Sequence, residues 1–346
     1  MKLRVRTIIG LVAVGAIALY FVSGLIAVAA INGATVDERG RDDASIASSR
    51  TLSFFKTRND YPELSSRVLT SFQSDGAKIQ GYLYQVPEPK GLVVYSHGLN
   101  GCADDHNAAA QAYFVRHGYD VFAYDGYGCG ASEGSGQKNL AHFAVTLRDC
   151  LDYLDTYAPV KNLPYHLVGH SAGAYASGIQ SGHANVKSAF LLTGFDNLEE
   201  EMFEKARVEA GGIVAITKPA FAVSCAILFG NEARRSAASI IAANTHVSFL
   251  VTQARNDRVV PEKASLYRHL SDLPHVEKVI TENSHSPAWQ SQEGYEYYQQ
   301  KVLDEFEPER HSLEECKAYA ATLDLEKIAS VDEFLFGRAL AMMEKA

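Results

Sequence analysis

Short apolar segments alternate with helical segments through the middle of this 346-residue chain, and no other feature constrains its fold as strongly. Each apolar segment has the length of a strand, and most are followed by a stretch with helical periodicity. Strand, helix, strand repeated in this way predicts an α/β fold with a mostly parallel sheet covered by helices on both faces. A hairpin at 68–84, turning at Ser74-Asp75-Gly76, precedes the alternation. The later predicted strands are 92–95, 121–124, 165–168, 189–192, 247–251 and 276–280.

Two long helical stretches fall outside this alternation. The residues between 193 and 247 have helical periodicity without a strand, and a helical cap is predicted at about 197–246. Such long connections above strand ends shape binding sites. A structural insertion with no gating role is the alternative. The chain after Trp289 is also helical, and residues 306–346 are predicted to form a C-terminal helical extension.

The N-terminus carries a topological signal. Lys2, Arg4 and Arg6 precede an uncharged, mostly apolar run at 7–31. This run is longer than the roughly 20 residues that a helix needs to cross a bilayer. Because basic residues stay on the cytoplasmic side, residues 1–33 are predicted to anchor an extracytoplasmic domain in the membrane.

The end of this segment leaves two topologies open. Residues 27–29, Ala-Val-Ala, resemble a signal cleavage site, so secretion after cleavage is the alternative to an uncleaved anchor. Residues 34–62 are polar and aperiodic and are interpreted as a linker. Residues 63–346 are then one domain that includes the cap and the C-terminal extension.

Charge and cysteine content exclude several classes of protein. A net charge of −9, with Lys and Arg scattered along the chain, opposes binding to a phosphate backbone, so no nucleic-acid partner is predicted. The five cysteines include no CxxC pair, which gives a zinc site no support. Neither a metal nor another cofactor is predicted, and no feature of the sequence fixes the oligomeric state.

The motif Gly169-His170-Ser171-Ala172-Gly173 follows an apolar strand directly and begins a helix of small residues. In this setting a sharp strand-to-helix turn raises the serine above the sheet, and the two glycines leave room for the strained backbone. The N-terminus of the helix then faces the negative charge that develops on an attacked carbonyl oxygen. Ser171 is the predicted nucleophile, supported by Gly169 and Gly173.

A serine hydroxyl needs a base that a third group orients, and the expected chain order is Ser, then Asp or Glu, then His. Asp257 and His285 follow the last two predicted strands, so both lie at the sheet edge where Ser171 lies. They are the predicted triad partners. Asp196 follows the preceding strand and is the alternative carboxylate.

Two glycine-rich loops lie at the same edge. His97-Gly98-Leu99 follows the first parallel strand, and its curl is predicted to aim the Leu99 N–H at an oxyanion, beside the Ala172 N–H. An ordinary turn is the alternative for this loop. The loop at 125–134 lacks the G-K-[ST] ending of a phosphate loop and is interpreted as scaffold. His97 and Gly98 are predicted to be supporting residues.

Taken together, these motifs resemble the α/β-hydrolase family, in particular its monoacylglycerol lipase and serine aminopeptidase S33-like branch, over residues 65–305. The elements that carry the resemblance are His97-Gly98-x-x-Gly101, Asp125-x-x-Gly128-x-Gly130-x-Ser132-x-Gly134, Gly169-x-Ser171-x-Gly173, Asp257-x-x-Val260-Pro261 and Ser284-His285. Relatives usually have Arg where this chain has Tyr127. The resemblance implies an eight-stranded sheet with the loops after Tyr95 and Tyr124 as neighbours. That neighbourhood motivates a disulfide between Cys102 and Cys129.

The function predicted on this basis is that of a serine hydrolase that cleaves a carboxylic ester, including acyl-lipid or monoacylglycerol-like esters, through an acyl-enzyme. Its partner would be a small acyl substrate. A peptidase, a thioesterase and an acyltransferase use the same intermediate and stay open as alternatives. A noncatalytic binding protein on the same scaffold is the alternative from another class.

Overall fold

The computed structural model describes residues 2–36, 40–105 and 107–346. Its centre is one eight-stranded sheet. The strands are β1 Arg67–Ser74, β2 Ala77–Tyr84, β3 Leu92–Ser96, β4 Asp120–Tyr124, β5 Tyr165–His170, β6 Val186–Leu192, β7 Ser248–Ala254 and β8 Val276–Thr281.

The sheet has the strand order β1-β2-β4-β3-β5-β6-β7-β8. β2 pairs antiparallel with both β1 and β4, whereas every pair from β4 to β8 is parallel. The turn of the predicted hairpin is made by Asp75 and Gly76, which both have positive φ, as a two-residue type I′ turn requires. The predicted mostly parallel, eight-stranded α/β architecture is confirmed.

Helices cover both faces of the sheet. Those of the described residues are α1 Lys2–Thr35, α2 Asp43–Ser48, α3 Ala108–Arg116, α4 His142–Leu154, α5 Ala172–Gln180, α6 Leu198–Ala210, α7 Lys218–Phe229, α8 Ala237–Ala243, α9 Leu266–His269, α10 Gln292–Tyr298, α11 Leu313–Ala320, α12 Leu325–Ile328 and α13 Glu333–Met343. A π-helix at Gln299–Phe306 continues α10.

Two apolar cores result because successive residues of a strand point to opposite faces of the sheet. Val94 of β3 belongs to the core under α4, α5 and α8, while its neighbour Val93 belongs to the core under α3 and the C-terminal helices. Both side chains are fully buried. In the second core the ring of Phe336 lies 5.3 Å from that of Phe190 on β6, so the C-terminal extension closes one face of the sheet.

The described part of the segment interpreted as a linker packs on the domain. Positions 37–39 lie outside the described residues, and the remainder contains α2 and three short 3₁₀ turns between Leu52 and Leu64. Phe54 and Leu64 are fully buried, and the ring of Phe54 meets Phe306 edge-on at 5.9 Å. A few isolated large side chains fix this segment, and isolated side chains leave no periodicity in a sequence.

None of the five cysteines forms a disulfide, which contradicts the hypothesis of a Cys102–Cys129 bond. The Cys129 thiol lies 3.8 Å from the carbonyl oxygen of Tyr127. Cys102 is 2 % exposed, and burial, together with the carboxylate of Asp105, raises the pKa of its thiol. A buried thiol that stays protonated is a poor partner for disulfide formation.

Candidate active site

Ser171 lies in the turn between β5 and α5, with φ 55° and ψ −116°. A residue other than glycine rarely adopts this backbone conformation, and such strain concentrates at functional sites. A methyl group on Gly173 would lie 2.1 Å from the carbonyl oxygen of Ser96, and one on Gly169 would lie 2.3 Å from that of Gly173. Both positions therefore need glycine for the turn to close.

Asp257 and His285 form a hydrogen-bonded pair beyond the ends of β7 and β8. The Nδ1 atom of His285 lies 2.9 Å from Oδ2 of Asp257. The other oxygen, Oδ1, accepts the backbone N–H groups of Val259 and Val260 at 2.8 and 2.9 Å. Gln253 donates its side-chain amide to Oδ2 at 3.1 Å. The carboxylate is thus fixed by the backbone on one side and by two side chains on the other.

These contacts decide the charge of Asp257. Burial by itself would raise the pKa of this carboxyl group, but the hydrogen bond and charge of His285, with the amides of Val260 and Val259, outweigh it and hold the pKa below its ordinary value. The ionised carboxylate accepts Nδ1–H, which leaves Nε2 of His285 able to accept a proton. The stability from this pair is present above the unfolded pKa of Asp257 and is lost as pH falls through the folded one.

Ser171 and His285 make no direct hydrogen bond. The Ser171 hydroxyl and Nε2 of His285 make no hydrogen bond to any residue that the structure describes. His170 lies beside both: it is adjacent to Ser171 in the chain, its ring centroid is 5.0 Å from that of His285, and its Nε2 is 2.8 Å from the His285 carbonyl oxygen. Catalytic hydrogen bonds are often long without substrate, so this geometry is compatible with a triad.

The backbone amides of Leu99 and Ala172, the predicted oxyanion donors, make no hydrogen bond within the described part of the chain. The loop that carries Leu99 approaches the serine closely, because a methyl group on Gly98 would lie 3.3 Å from Cβ of Ser171. His97 fixes this loop: its Nδ1 lies 2.6 Å from the Gly98 carbonyl oxygen, and its Nε2 accepts the Gly126 N–H at 2.8 Å. His97 and Gly98 thus bring the loop that carries Leu99 close to Ser171.

The glycine-rich loop at 125–134 is built around a buried carboxylate. Asp125 accepts the backbone N–H groups of Ala103 and Ala131, both at 2.9 Å, and the Tyr82 hydroxyl at 2.7 Å. Burial raises the pKa of Asp125 despite these bonds. The contacts join the loop to β2 and to the loop after β3, which fits the interpretation as scaffold.

Asp196, the alternative third member of the triad, makes its hydrogen bonds to the cap. Its Oδ1 accepts the Ser236 hydroxyl and the Ala238 N–H, both at 2.8 Å, at the start of α8. Ligand atoms of Asp196, Glu200 and His269 also lie within 4.8 Å of one another, a spacing that a metal ion could use. However, Nε2 of His269 lies 2.8 Å from the Lys263 carbonyl oxygen, so this nitrogen carries a hydrogen and cannot ligate.

Two clefts flank the Asp257–His285 pair. A cleft of about 530 Å³ is lined by Gln253 and Asp257, and one of about 460 Å³ by His285 and Tyr295. Ser171 lines neither cleft and is 8 % exposed. His285 is buried to a similar degree, at 6 % exposed, although it lines one of the clefts.

Two residues of this arrangement are not among those predicted to contribute to the site. From the sequence motif, His170 is expected only to form part of the turn. Gln253 lies within β7, and the apolar residues before it indicate only a strand there. Gln253 also accepts the Ser265 hydroxyl through its Oε1. A long polar side chain near the carboxyl end of a largely buried strand is the signal that could have found it.

The cap also contains a buried carboxyl group, Glu201 of α6, which is 1 % exposed. Lys205 lies 3.1 Å from one of its oxygens, whereas the other has no hydrogen-bond partner among the described residues. Burial outweighs the lysine and raises the pKa of Glu201 to about 7, from an ordinary value of 4.5. The folded chain then holds a proton on Glu201 over a pH range in which the unfolded chain has released it.

This difference predicts a loss of stability as pH rises from 4.5 to about 7, by up to about 3 kcal/mol. Glu201→Gln removes the titration, so the variant should gain stability relative to the parent chain between pH 5 and pH 8. Urea unfolding of the full chain in detergent at both pH values measures this, with Glu209→Gln on the exposed part of α6 as the matched control. The explanation fails if Glu201→Gln and the parent lose stability equally.

Comparison with known proteins agrees with this architecture. Residues 87–191 match the family described as serine aminopeptidase, S33, a stretch that contains Ser171 but neither Asp257 nor His285. No curated protein matches the chain by sequence.

Among solved structures, the chain is similar to the esterase Pf2001 of Pyrococcus furiosus, with 15 % identity, a TM-score of 0.50, and 67 % of this chain and 88 % of that one covered. It is also similar to Est1E of Butyrivibrio proteoclasticus in complex with ferulic acid, with 18 % identity, a TM-score of 0.48, and 75 % and 100 % of the two chains covered. At these identities the likeness concerns the fold alone.

Proposed function

We propose that the chain, which has the α/β-hydrolase fold, is a hydrolase that cleaves carboxylic esters through nucleophilic attack by Ser171. The observation that carries the proposal is the strained backbone of Ser171, together with His285, whose Nδ1 is held by the carboxylate of Asp257 at 2.9 Å. Acyl transfer requires both features: the strained turn exposes the serine oxygen, and the fixed tautomer leaves Nε2 of the histidine able to accept the serine proton.

In the first half of the proposed reaction, the Ser171 hydroxyl adds to the ester carbonyl carbon while Nε2 of His285 takes its proton. The amides of Leu99 and Ala172 donate to the oxygen that becomes negative, where pre-positioned donors are worth about 3 to 4 kcal/mol each. Collapse of the intermediate breaks the bond to the alkoxide, which leaves with the proton from His285. Asp257 stays ionised and stabilises the imidazolium.

In the second half, water takes the place of the alcohol. His285 accepts a proton from water, the hydroxide adds to the acyl-enzyme, and the carboxylic acid leaves as Ser171 regains its proton. A peptidase or thioesterase differs only in the first leaving group, and an acyltransferase only in the acceptor. The reactivity of the bond, and not the triad, separates these alternatives.

Matched substrates test the proposal directly. The full chain is assayed with a p-nitrophenyl ester, a thioester and a p-nitroanilide of one acyl group, and the ester series is extended from short to long acyl chains. Ester hydrolysis should exceed anilide hydrolysis by a larger factor than in buffer alone. A chain that cleaves the anilide and leaves every ester intact would be a peptidase and would contradict the proposal.

We also propose that α1 is an uncleaved membrane anchor that places the catalytic domain outside the cytoplasm. The apolar part of α1, Leu11–Thr35, is long enough to cross a bilayer, and 11 % of an 18-residue stretch within it is buried in the protein. Its last turns contact the domain, since Val28 is fully buried and Asn32 donates to the Lys138 carbonyl oxygen at 3.0 Å. Mass spectrometry of the purified protein tests this, because cleavage after Ala29 would remove residues 1–29 and with them most of the apolar part of α1.

A further inference from the structure

The cap carries an apolar surface that nothing within the described chain covers. Four residues of α7 and the turn before it form this surface, which we call the cap stripe: Ile216 is 72 % exposed, Val223 44 %, Ile227 65 % and Leu228 43 %. The opposite side of α7 is also apolar and is buried, with Ala220, Phe221 and Cys225 facing inward. A helix at a water-facing surface normally has polar residues on its outer side.

The cap stripe adjoins the predicted anchor. The Tyr20 hydroxyl donates to the Ile216 carbonyl oxygen at 2.7 Å. One turn later, a methyl group on Gly24 would lie 3.0 Å from Cβ of Ala220, and Ser224 is equally near. The residue numbers of these contacts rise along both helices, so α1 and α7 run side by side in the same direction. A small residue, Gly24, lies at the point of closest approach.

The surface of α1 that makes no contact with the domain is apolar and exposed, as the cap stripe is. Leu11, Val14, Ile17, Leu19 and Ile26 are between 58 % and 70 % exposed. The contact at Tyr20 lies eleven residues before Ile31, the end of the apolar run, which corresponds to about 16 Å along the helix axis. This is roughly half of a hydrocarbon core about 30 Å thick. A bilayer that surrounds α1 therefore reaches the cap stripe.

Partial insertion fits the cap better than a second crossing. The segment Val214–Ala243 is apolar enough to span a membrane, but α7 ends at Phe229 and a 3₁₀ turn separates it from α8. Charged residues of the cap lie mainly on α6, where Arg207 pairs with Glu204 at 2.6 Å. Lys218 directs its ammonium group to within 5.3 Å of the Phe203 ring. Long charged side chains reach the headgroups while their stems stay in apolar surroundings.

From this arrangement we propose that the cap stripe is inserted into the outer leaflet beside α1, so that the cap is itself a membrane-binding element. The inference rests on the proposed anchoring of α1. Its partner is a lipid bilayer, because the stripe has no charge and is continuous with the lipid-facing surface of α1. Substrate would then approach the cap from the leaflet as well as from water.

Tryptophan fluorescence in vesicles containing brominated phosphatidylcholine tests the insertion. The chain has one tryptophan, Trp289, which is 2 % exposed and supplies the background. Ile216→Trp and Ile227→Trp of the full chain report on the cap stripe, and Leu19→Trp reports on α1. Phe334→Trp is the matched control, because Phe334 is an apolar residue of α13 that is 65 % exposed.

We expect brominated lipid to remove most of the added fluorescence of Ile216→Trp, Ile227→Trp and Leu19→Trp, and little of that of Phe334→Trp. Quenching of Leu19→Trp without quenching at either cap position overturns the insertion and leaves the anchor standing. Quenching at none of these positions overturns both. A blue-shifted but unquenched signal from the stripe assigns it to contact with a second protein copy and also overturns the proposal. Each variant is assayed on a soluble ester, so a failure of the hydrolase function is detected separately.

Discussion

Replacing Ser171 with alanine is expected to lower kcat/KM for a short p-nitrophenyl ester by about 10⁴-fold or more. The substitution removes the oxygen that forms the acyl-enzyme, and no hydrolysis through His285 alone can approach the same rate. The side chain makes no hydrogen bond to the described residues, so the fold should be unaffected. Initial rates of the parent and the variant, with thermal unfolding recorded for both, give the comparison.

The matched control is Ser177→Ala, on the helix that follows the nucleophile. Ser177 is fully buried, and its hydroxyl has no hydrogen-bond partner among the described residues. Its loss should leave hydrolysis within about threefold of the parent, because a buried hydroxyl without a partner contributes little to stability. An unchanged rate for Ser171→Ala would remove the basis of the mechanism.

The second large effect is expected for Asp257→Asn, about 10⁴-fold in kcat. The asparagine oxygen can still accept the Val259 and Val260 amides, which turns its NH₂ group toward Nδ1 of His285 and toward the Gln253 amide. Nδ1 must then accept a hydrogen bond, so the ring proton moves to Nε2. A protonated Nε2 cannot take the proton of the Ser171 hydroxyl. His285 is then held in the wrong tautomer, while the backbone around it is unchanged.

Asp196→Asn separates the two candidate carboxylates. Asp196 is bonded to Ser236 and Ala238 at the start of α8, so its replacement should weaken the packing of the cap and lower the unfolding temperature. Hydrolysis per folded molecule should stay within about threefold of the parent, because the carboxylate that bonds His285 is that of Asp257. The opposite result, a large loss for Asp196→Asn and a small one for Asp257→Asn, would transfer the role to Asp196.

The sheet was predictable because its strands are short apolar runs and buried parallel strands require such runs. In β3, the adjacent residues Val93 and Val94 face opposite cores, so no polar residue interrupts the pattern there. The candidate site followed from the same regularity, since Asp257 and His285 come directly after two of these strands. Strand ends bring distant parts of the chain together at one edge.

What the sequence did not reveal depends on contacts between distant parts of the chain. Phe54 appears in a polar, aperiodic segment, yet it packs against Phe306 and fixes that segment on the domain. The contact of Tyr20 with Ile216 joins residues that are 196 positions apart. Neither pairing leaves a periodic pattern, and the burial of the Cys102 and Cys129 thiols leaves none either.

The most direct test of the central claim is covalent labelling with a fluorophosphonate, followed by peptide mass spectrometry. The reagent reacts with a serine that a neighbouring base activates and leaves a stable phosphonyl ester on its oxygen. We predict one adduct per chain, on the peptide that contains Ser171, and a strong loss of labelling in Asp257→Asn. Labelling of another serine, or a full-length folded chain that resists the reagent altogether, would contradict the assignment of Ser171 as the nucleophile.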